Sequence, residues 1–129
     1  MTRRHIAVPT PYTNQLAYSR IVVDGDDAWI SGCAPLDADG RLVGGQSAYH
    51  QARQCIENVA DALALADMRL SDLVRIRIYL RSFADLEEVC RAERETLSEI
   101  RPAATVIAVQ DLVAKDMLVY MDADARRAR

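Results

Sequence analysis

Three cysteines, two histidines and one arginine- and tyrosine-bearing strand hold most of the reactive chemistry in this 129-residue chain. As thiolates, Cys33 or Cys90 could attack an imine or an activated carbonyl carbon, given a base or cation nearby to lower the thiol pKa. The competing reading of each is a small buried hydrophobe, and Cys55, on an apolar helical stripe, fits that reading. The cysteines are odd in number and form no C-x-x-C pair, so neither a disulfide framework nor a zinc site is expected. A reducing cytoplasm suits them. Arg75, Arg77 and Tyr79 alternate with aliphatic residues and share one face of a strand. Arg77 could offer a guanidinium to a ligand there, or be taken up in an interface ion pair. Tyr120 joins an apolar ring to a polar handle, which fits either a pocket donor or an interface filler.

The elements that must position these groups are legible from spacing. The chain turns on residues 100–109, where Pro102 ends a charged helix, biases Arg101 toward an extended conformation, and a β-branched run follows at once. Residues 1–16, with Pro9 and Pro11, read as an extended arm. Residues 18–23 and 28–33 flank the turn Asp24-Gly25-Asp26 and read as an antiparallel hairpin. In its second strand Trp29, Ser31 and Cys33 share one face, and Ala28 and Ile30 the other. Residues 35–45 form a loop with 41–43 as a short strand.

Between 46 and 66, Ala52, Cys55, Ile56, Val59, Ala60 and Leu63 make one helical stripe. In residues 71–80, Val74, Ile76, Ile78 and Leu80 oppose Arg75, Arg77 and Tyr79. Ser82-x-x-Asp85 opens a second helix over 84–99, with Leu86, Val89, Cys90, Glu93 and Leu97 spaced along it. In the last strand, 117–123, Val119 and Met121 oppose Leu118, Tyr120 and Asp122. This order predicts an α+β fold, one sheet with both helices on a single face. The face bearing Arg77, Tyr79 and Tyr120 is left for another subunit to cover.

With 50% hydrophobic residues, residues 1–129 suffice for one domain with one core. A net charge of −3 and a pI of about 5.3 argue against nucleic-acid binding. The basic residues within 125–129 read as a solvated tail. Pro9 and Pro11 interrupt the start before any signal-peptide core could form, and no apolar run reaches the ~20 residues of a membrane span.

Several stretches resemble one family. Arg101-Pro102-Ala103-Ala104-Thr105-Val106 is similar to the Arg-Pro-Ala-Arg-Ser/Thr-x-Val signature of the YjgF/RidA family, the reactive intermediate deaminases. Tyr18-Ser19 resembles its Gly-Pro-Tyr-Ser entry, Ile30 to Pro35 its Val-Ser-Gly-Gln-Ile-Pro, and Gly40 to Gly45 its Gly-x-Leu-Val-x-Gly loop. Gln51 to Val59 is similar to its Gln-x-Arg-Gln-Ala-Leu-x-Asn-Leu helix, and Val74 to Leu80 to its Val-Lys-Val-Thr-Val-Tyr-Leu strand. The resemblance implies a homotrimer of chorismate-mutase-like subunits with ligand clefts between them. It implies hydrolysis of imines to a keto acid and ammonia, with no metal and no cofactor. In that reaction an arginine grips the substrate carboxylate and a carboxylate near the C-terminus positions water.

Four positions depart from the family pattern. Ala104 stands for the arginine. Tyr120 stands for the glutamate if one residue is inserted so that Lys115-Asp116 align, and Val119 does so otherwise. Cys33 replaces a glutamine and Cys90 a helix asparagine. Tyr18, Ser31, Gly32 and Thr105 match. The expected catalytic set is therefore Tyr120, Cys33 and Cys90, and the expected substrate-binding set Tyr18, Ser31, Gly32, Arg77, Ala104 and Thr105. The expected activity is on small imine, enamine or carbonyl intermediates, and not the usual 2-imino acid deamination. A non-catalytic binding or regulatory trimer, or a cyclase or lyase on the same scaffold, are the alternatives. The acidic charge and the lack of a His/Lys cluster argue against endoribonuclease chemistry.

Overall fold

The computed structural model describes residues 2–10 and 12–128. Pro11 of the expected arm and Arg129 of the expected tail lie outside them. The strands are β1 (Arg4–Ile6), β2 (Ile21–Asp24), β3 (Asp27–Cys33), β4 (Leu73–Leu80), β5 (Ala103–Ala108) and β6 (Val119–Arg126), and the helices α1 (Thr13–Leu16), α2 (Ala48–Ala64) and α3 (Leu86–Leu97). They form one six-stranded sheet in the order β1-β2-β3-β6-β4-β5. Every neighbouring pair is antiparallel except β4–β5, which is parallel. A parallel pair needs a crossover, and α3 supplies it. The expected α+β class holds.

The central strand β6 shows why one face becomes the core. Val119, Met121, Ala123 and Ala125 are buried, while Tyr120, Asp122 and Asp124 alternate onto the other face. The stripe of α2 closes over the buried side: Ala52, Cys55, Ile56, Val59 and Leu63 are all inaccessible or nearly so. Burying each large aliphatic side chain is worth about 1.5–3 kcal/mol. On α3, Val89, Ala92 and Leu97 complete the layer. Two α2 amides anchor the loops around the sheet. Gln51 is fully buried, yet its Nε2 donates to Gly45 O (2.8 Å) and Asp116 O (2.9 Å), and its Oε1 accepts from Leu118 N (2.8 Å). Asn58 Nδ2 donates to Ala34 O and Leu36 O, both at 2.8 Å.

The structure changes the sequence reading at several points. The expected arm contains β1, paired with β2, and the short α1. Residues 41–43 make only one isolated bridge, Leu36 to Leu42. Cys33 does not share a face with Trp29. Against β6, Ile30 pairs with Ala123 and Cys33 with Met121, so three steps of β3 oppose two of β6. This β-bulge turns Cys33 into the core beside Ile30, while Trp29 stays 46% exposed. A second register shift, between Leu73 and Arg75, puts Val74 outside and Leu73 inside. Arg101 is not extended but left-handed, at φ 51°. Its N–H and that of Ile100 both donate to Leu97 O (2.9 and 3.0 Å), which caps α3. A non-glycine residue in that region costs on the order of 1 kcal/mol.

Candidate functional site

The bulge in β3 builds the centre of the open sheet face. Arg20 precedes β2, and its Nη1 donates to Ser31 O (3.1 Å), Gly32 O (2.7 Å) and Cys33 Sγ (3.2 Å). Its Nη2 donates to the Tyr18 hydroxyl (3.1 Å), which also bonds the Thr10 hydroxyl at 2.9 Å. The guanidinium thus holds the bulge carbonyls and fixes Tyr18. Ser31 is committed as well, since its hydroxyl donates to Ser19 O at 2.6 Å.

Over the bulge lies Tyr120. A Cβ added to Gly32 would sit 1.8 Å from the Tyr120 hydroxyl, so only glycine lets the ring lie there. The Tyr120 hydroxyl has no hydrogen-bond partner among the described residues. Burial raises its pKa, with Arg20 pulling the other way. It is a neutral donor at physiological pH. The neighbouring Tyr79 ring is 6.1 Å away between centroids. Tyr79 donates to Asp122 Oδ2 at 2.6 Å, and that bond first of all pushes its pKa up to about 12. Gly32, Tyr79, Tyr120 and Asp122 share an open depression of about 310 Å³ with the loop after β5.

Arg77 is engaged within the chain. Its guanidinium pairs with Asp122 (2.7 Å) and Asp124 (3.0 Å). Cys33 is buried, and burial outweighs Arg20 to push its thiol up to about 11. Little thiolate is present there at neutral pH. Cys55 is buried too and also raised, whereas Cys90 is half-buried on α3.

The remaining expected residues lie elsewhere. Ala104 pairs with Ile76, and Ile76 with the buried Ala123, so Ala104 faces the helix side of the sheet. Thr105 pairs with Arg77 and Tyr120 with Tyr79, so both face the open side. The sheet itself separates Ala104 from Tyr120. On the Ala104 side a second depression of about 310 Å³ is lined by Ile76, Glu93, Leu97, Pro102 and Ala104. Cys90 precedes Glu93 by about one helical turn.

Arg20, Asp122 and Glu93 are the residues that sequence reasoning left out of the site. Signals for two of them existed. Arg20 alternates with Tyr18 at β spacing. Glu93 is a carboxylate on an otherwise apolar α3 stripe.

A mixed sheet backed by α2 and α3, with one face open, defines the fold class. The chain belongs to the family described as Endoribonuclease L-PSP, whose model matches residues 10–127, which is the YjgF/RidA family. The RutC family protein PH0854 of Pyrococcus horikoshii is 30% identical over 109 residues, covering 84% of this chain and 85% of that protein. The 3-aminoacrylate deaminase RutC of Acinetobacter baylyi is 32% identical over 91 residues, 70% of this chain and 71% of that protein. Among solved structures, Rv2704 of Mycobacterium tuberculosis, a YjgF/YER057c/UK114 family member, superposes with a TM-score of 0.87 at 26% identity, covering 97% of this chain and 99% of that one. Among the described residues, no helix is long and apolar enough to cross a membrane.

Proposed function

We propose that the chain acts as a cytoplasmic homotrimer on small imine, enamine or carbonyl intermediates, at clefts completed by a second copy. The observation that carries this reading is the Tyr120 hydroxyl, half-buried over Gly32 and with no hydrogen-bond partner among the described residues. A sheltered donor of this kind suits the nitrogen or oxygen of a polarised C=N or C=O group. Its placement across the sheet from Ala104 supports a cleft between subunits, because one ligand can touch both only if the two come from different chains. Exposed Trp29 and Ile107 and half-buried Tyr79 on the open face support the same assembly.

A relative named as a 3-aminoacrylate deaminase supports the substrate class, since 3-aminoacrylate is an enamine. In the hydrolysis, water adds to the imine carbon, the carbon–nitrogen bond breaks, and a carbonyl compound and ammonia leave. Tyr120 would hold the heteroatom, Gly32 would allow close approach, and Tyr18 with Thr105 would orient the ligand. Cys33, turned into the core, takes no part, and Cys90 is assigned to the wall on the Ala104 side. With Ala104 in place of a guanidinium, the cleft favours ligands other than small 2-imino acids.

The test is light scattering for mass, together with ammonia release from neutral N-unsubstituted imines and primary enamines by wild type and Tyr120→Phe. A trimer whose turnover falls in the variant is expected. A monomer at micromolar concentration, or turnover indifferent to Tyr120, would sink the reading.

A further inference from the structure

Glu93 is a half-buried ionisable group with no role in the site as described so far. One carboxyl oxygen, Oε1, is sealed from solvent and has no hydrogen-bond donor among the described residues. Buried acceptors are almost always paired, so an orphaned one points to a missing partner. The residue nevertheless lines the depression between α3 and β5. Around it lie the Cys55 thiol of α2, pushed up by burial, Ile76 of β4, Ala104 of β5 and Ser98, whose hydroxyl donates to Arg94 O. The cations lining the same depression are Arg94, which pairs with Glu87 at 3.1 Å, and Arg101 in its left-handed cap. Neither makes an ion pair with Glu93. With Oε1 sealed, a donor from the cavity side would meet the other carboxyl oxygen, Oε2, and stabilise the charge the two oxygens share. The small Ala104 side chain leaves room for that donor.

We propose that the pocket between α3 and β5 receives a ligand bearing a protonated nitrogen, an ammonium or iminium, with Glu93 as its acceptor. This rests on the proposed function in taking the Ala104 side as part of a ligand cleft. It makes the ligand cationic at that end. A charge-assisted bond from an N–H donor to a partly desolvated carboxylate is among the stronger single contacts available. Burial holds the Glu93 pKa up at about 7, so the pocket changes between acceptor and donor near neutrality.

Propylammonium, propionate and 1-propanol are matched probes of this pocket, read by ligand-observed NMR on the full chain. Propylammonium should bind, propionate should not, and 1-propanol should bind at least tenfold more weakly. Propylammonium binding should strengthen as pH rises through about 7, because Glu93 then becomes the anion. The isosteric Glu93→Gln should lose at least tenfold in propylammonium affinity along with that pH dependence. Ala104→Arg, which sets a competing cation beside Glu93, should abolish binding while raising thermal stability. Propionate binding in preference, or propylammonium affinity unchanged in Glu93→Gln, would overturn the assignment. If ammonia release stays dependent on Tyr120 while propylammonium binding ignores Glu93, this inference alone fails. If the protein is monomeric and Tyr120 is dispensable, the proposed function fails with it.

Discussion

The Tyr120 ring occupies the space that a side chain on Gly32 would need, with the hydroxyl 1.8 Å and Cζ 2.0 Å from the position of a Cβ there. The relation is steric and one-sided: residue 32 can be glycine, or Tyr120 can lie over the bulge. Gly32→Ala should therefore displace the ring, not merely tilt its tip. Overpacking of this kind costs about 1–3 kcal/mol. Urea denaturation should register that loss, and ligand binding at the open face should fall with it. A variant as stable as wild type, with binding intact, would show that Tyr120 does not depend on the glycine.

Removing the Tyr120 hydroxyl should do the opposite. It has no hydrogen-bond partner among the described residues, so Tyr120→Phe should leave stability within about 0.5 kcal/mol of wild type. Affinity for a ligand that accepts its hydrogen bond should drop by about 2- to 10-fold, the worth of one neutral hydrogen bond. Calorimetry on wild type and variant, with any hit from a neutral imine, lactam and ketone screen, checks both halves of this prediction.

Thiol reactivity should follow burial. Cys33, with its thiol raised to about 11, and the fully buried Cys55 should resist iodoacetamide in the folded protein at pH 8, while Cys90 reacts. Peptide mass spectrometry after timed quenching distinguishes the three. Rapid labelling of Cys33 would mean that the bulge opens or that Arg20 lowers the thiol more than burial raises it.

Glu93 should give stability a pH slope. Its folded pKa of about 7 lies above the ordinary 4.5, so the folded state holds the proton more tightly than the unfolded state. The stabilisation is full below about pH 4.5 and is lost as pH rises through about 7. For a half-buried group the loss should be on the order of 1–3 kcal/mol. Urea midpoints at pH 5.5 and pH 8.5 should separate more for wild type than for Glu93→Gln. Equal separations would mean that Glu93 titrates normally.

Hydrolysis of 2-iminobutanoate should be slow. Alanine at 104 offers no bidentate grip, and two charge-assisted hydrogen bonds are worth about 3–6 kcal/mol. The rate should therefore lie about two to four orders of magnitude below that of a family member carrying arginine, assayed in parallel. Comparable rates would show that another group, with Arg101 of the same depression the first candidate, holds the carboxylate.

The alternation of Val119, Met121 and Ala123 against Tyr120 and Asp122 was legible in the sequence, as were the α2 stripe from Ala52 to Leu63 and the hairpin around Gly25. These patterns are local: a period of two or 3.6 residues is written into neighbouring side chains whatever they pack against. The α+β class followed from them. Tertiary structure alone decided the side taken by Cys33, because a bulge is counted against the partner strand and not along its own. It likewise set Arg20 against the Ser31 and Gly32 carbonyls eleven and twelve residues away, and left Glu93 Oε1 without a donor among the described residues. It also put Ala104 and Tyr120 on opposite faces of one sheet. Strand order and register bring those two residues into relation, and both are fixed by long-range pairing that no periodicity encodes.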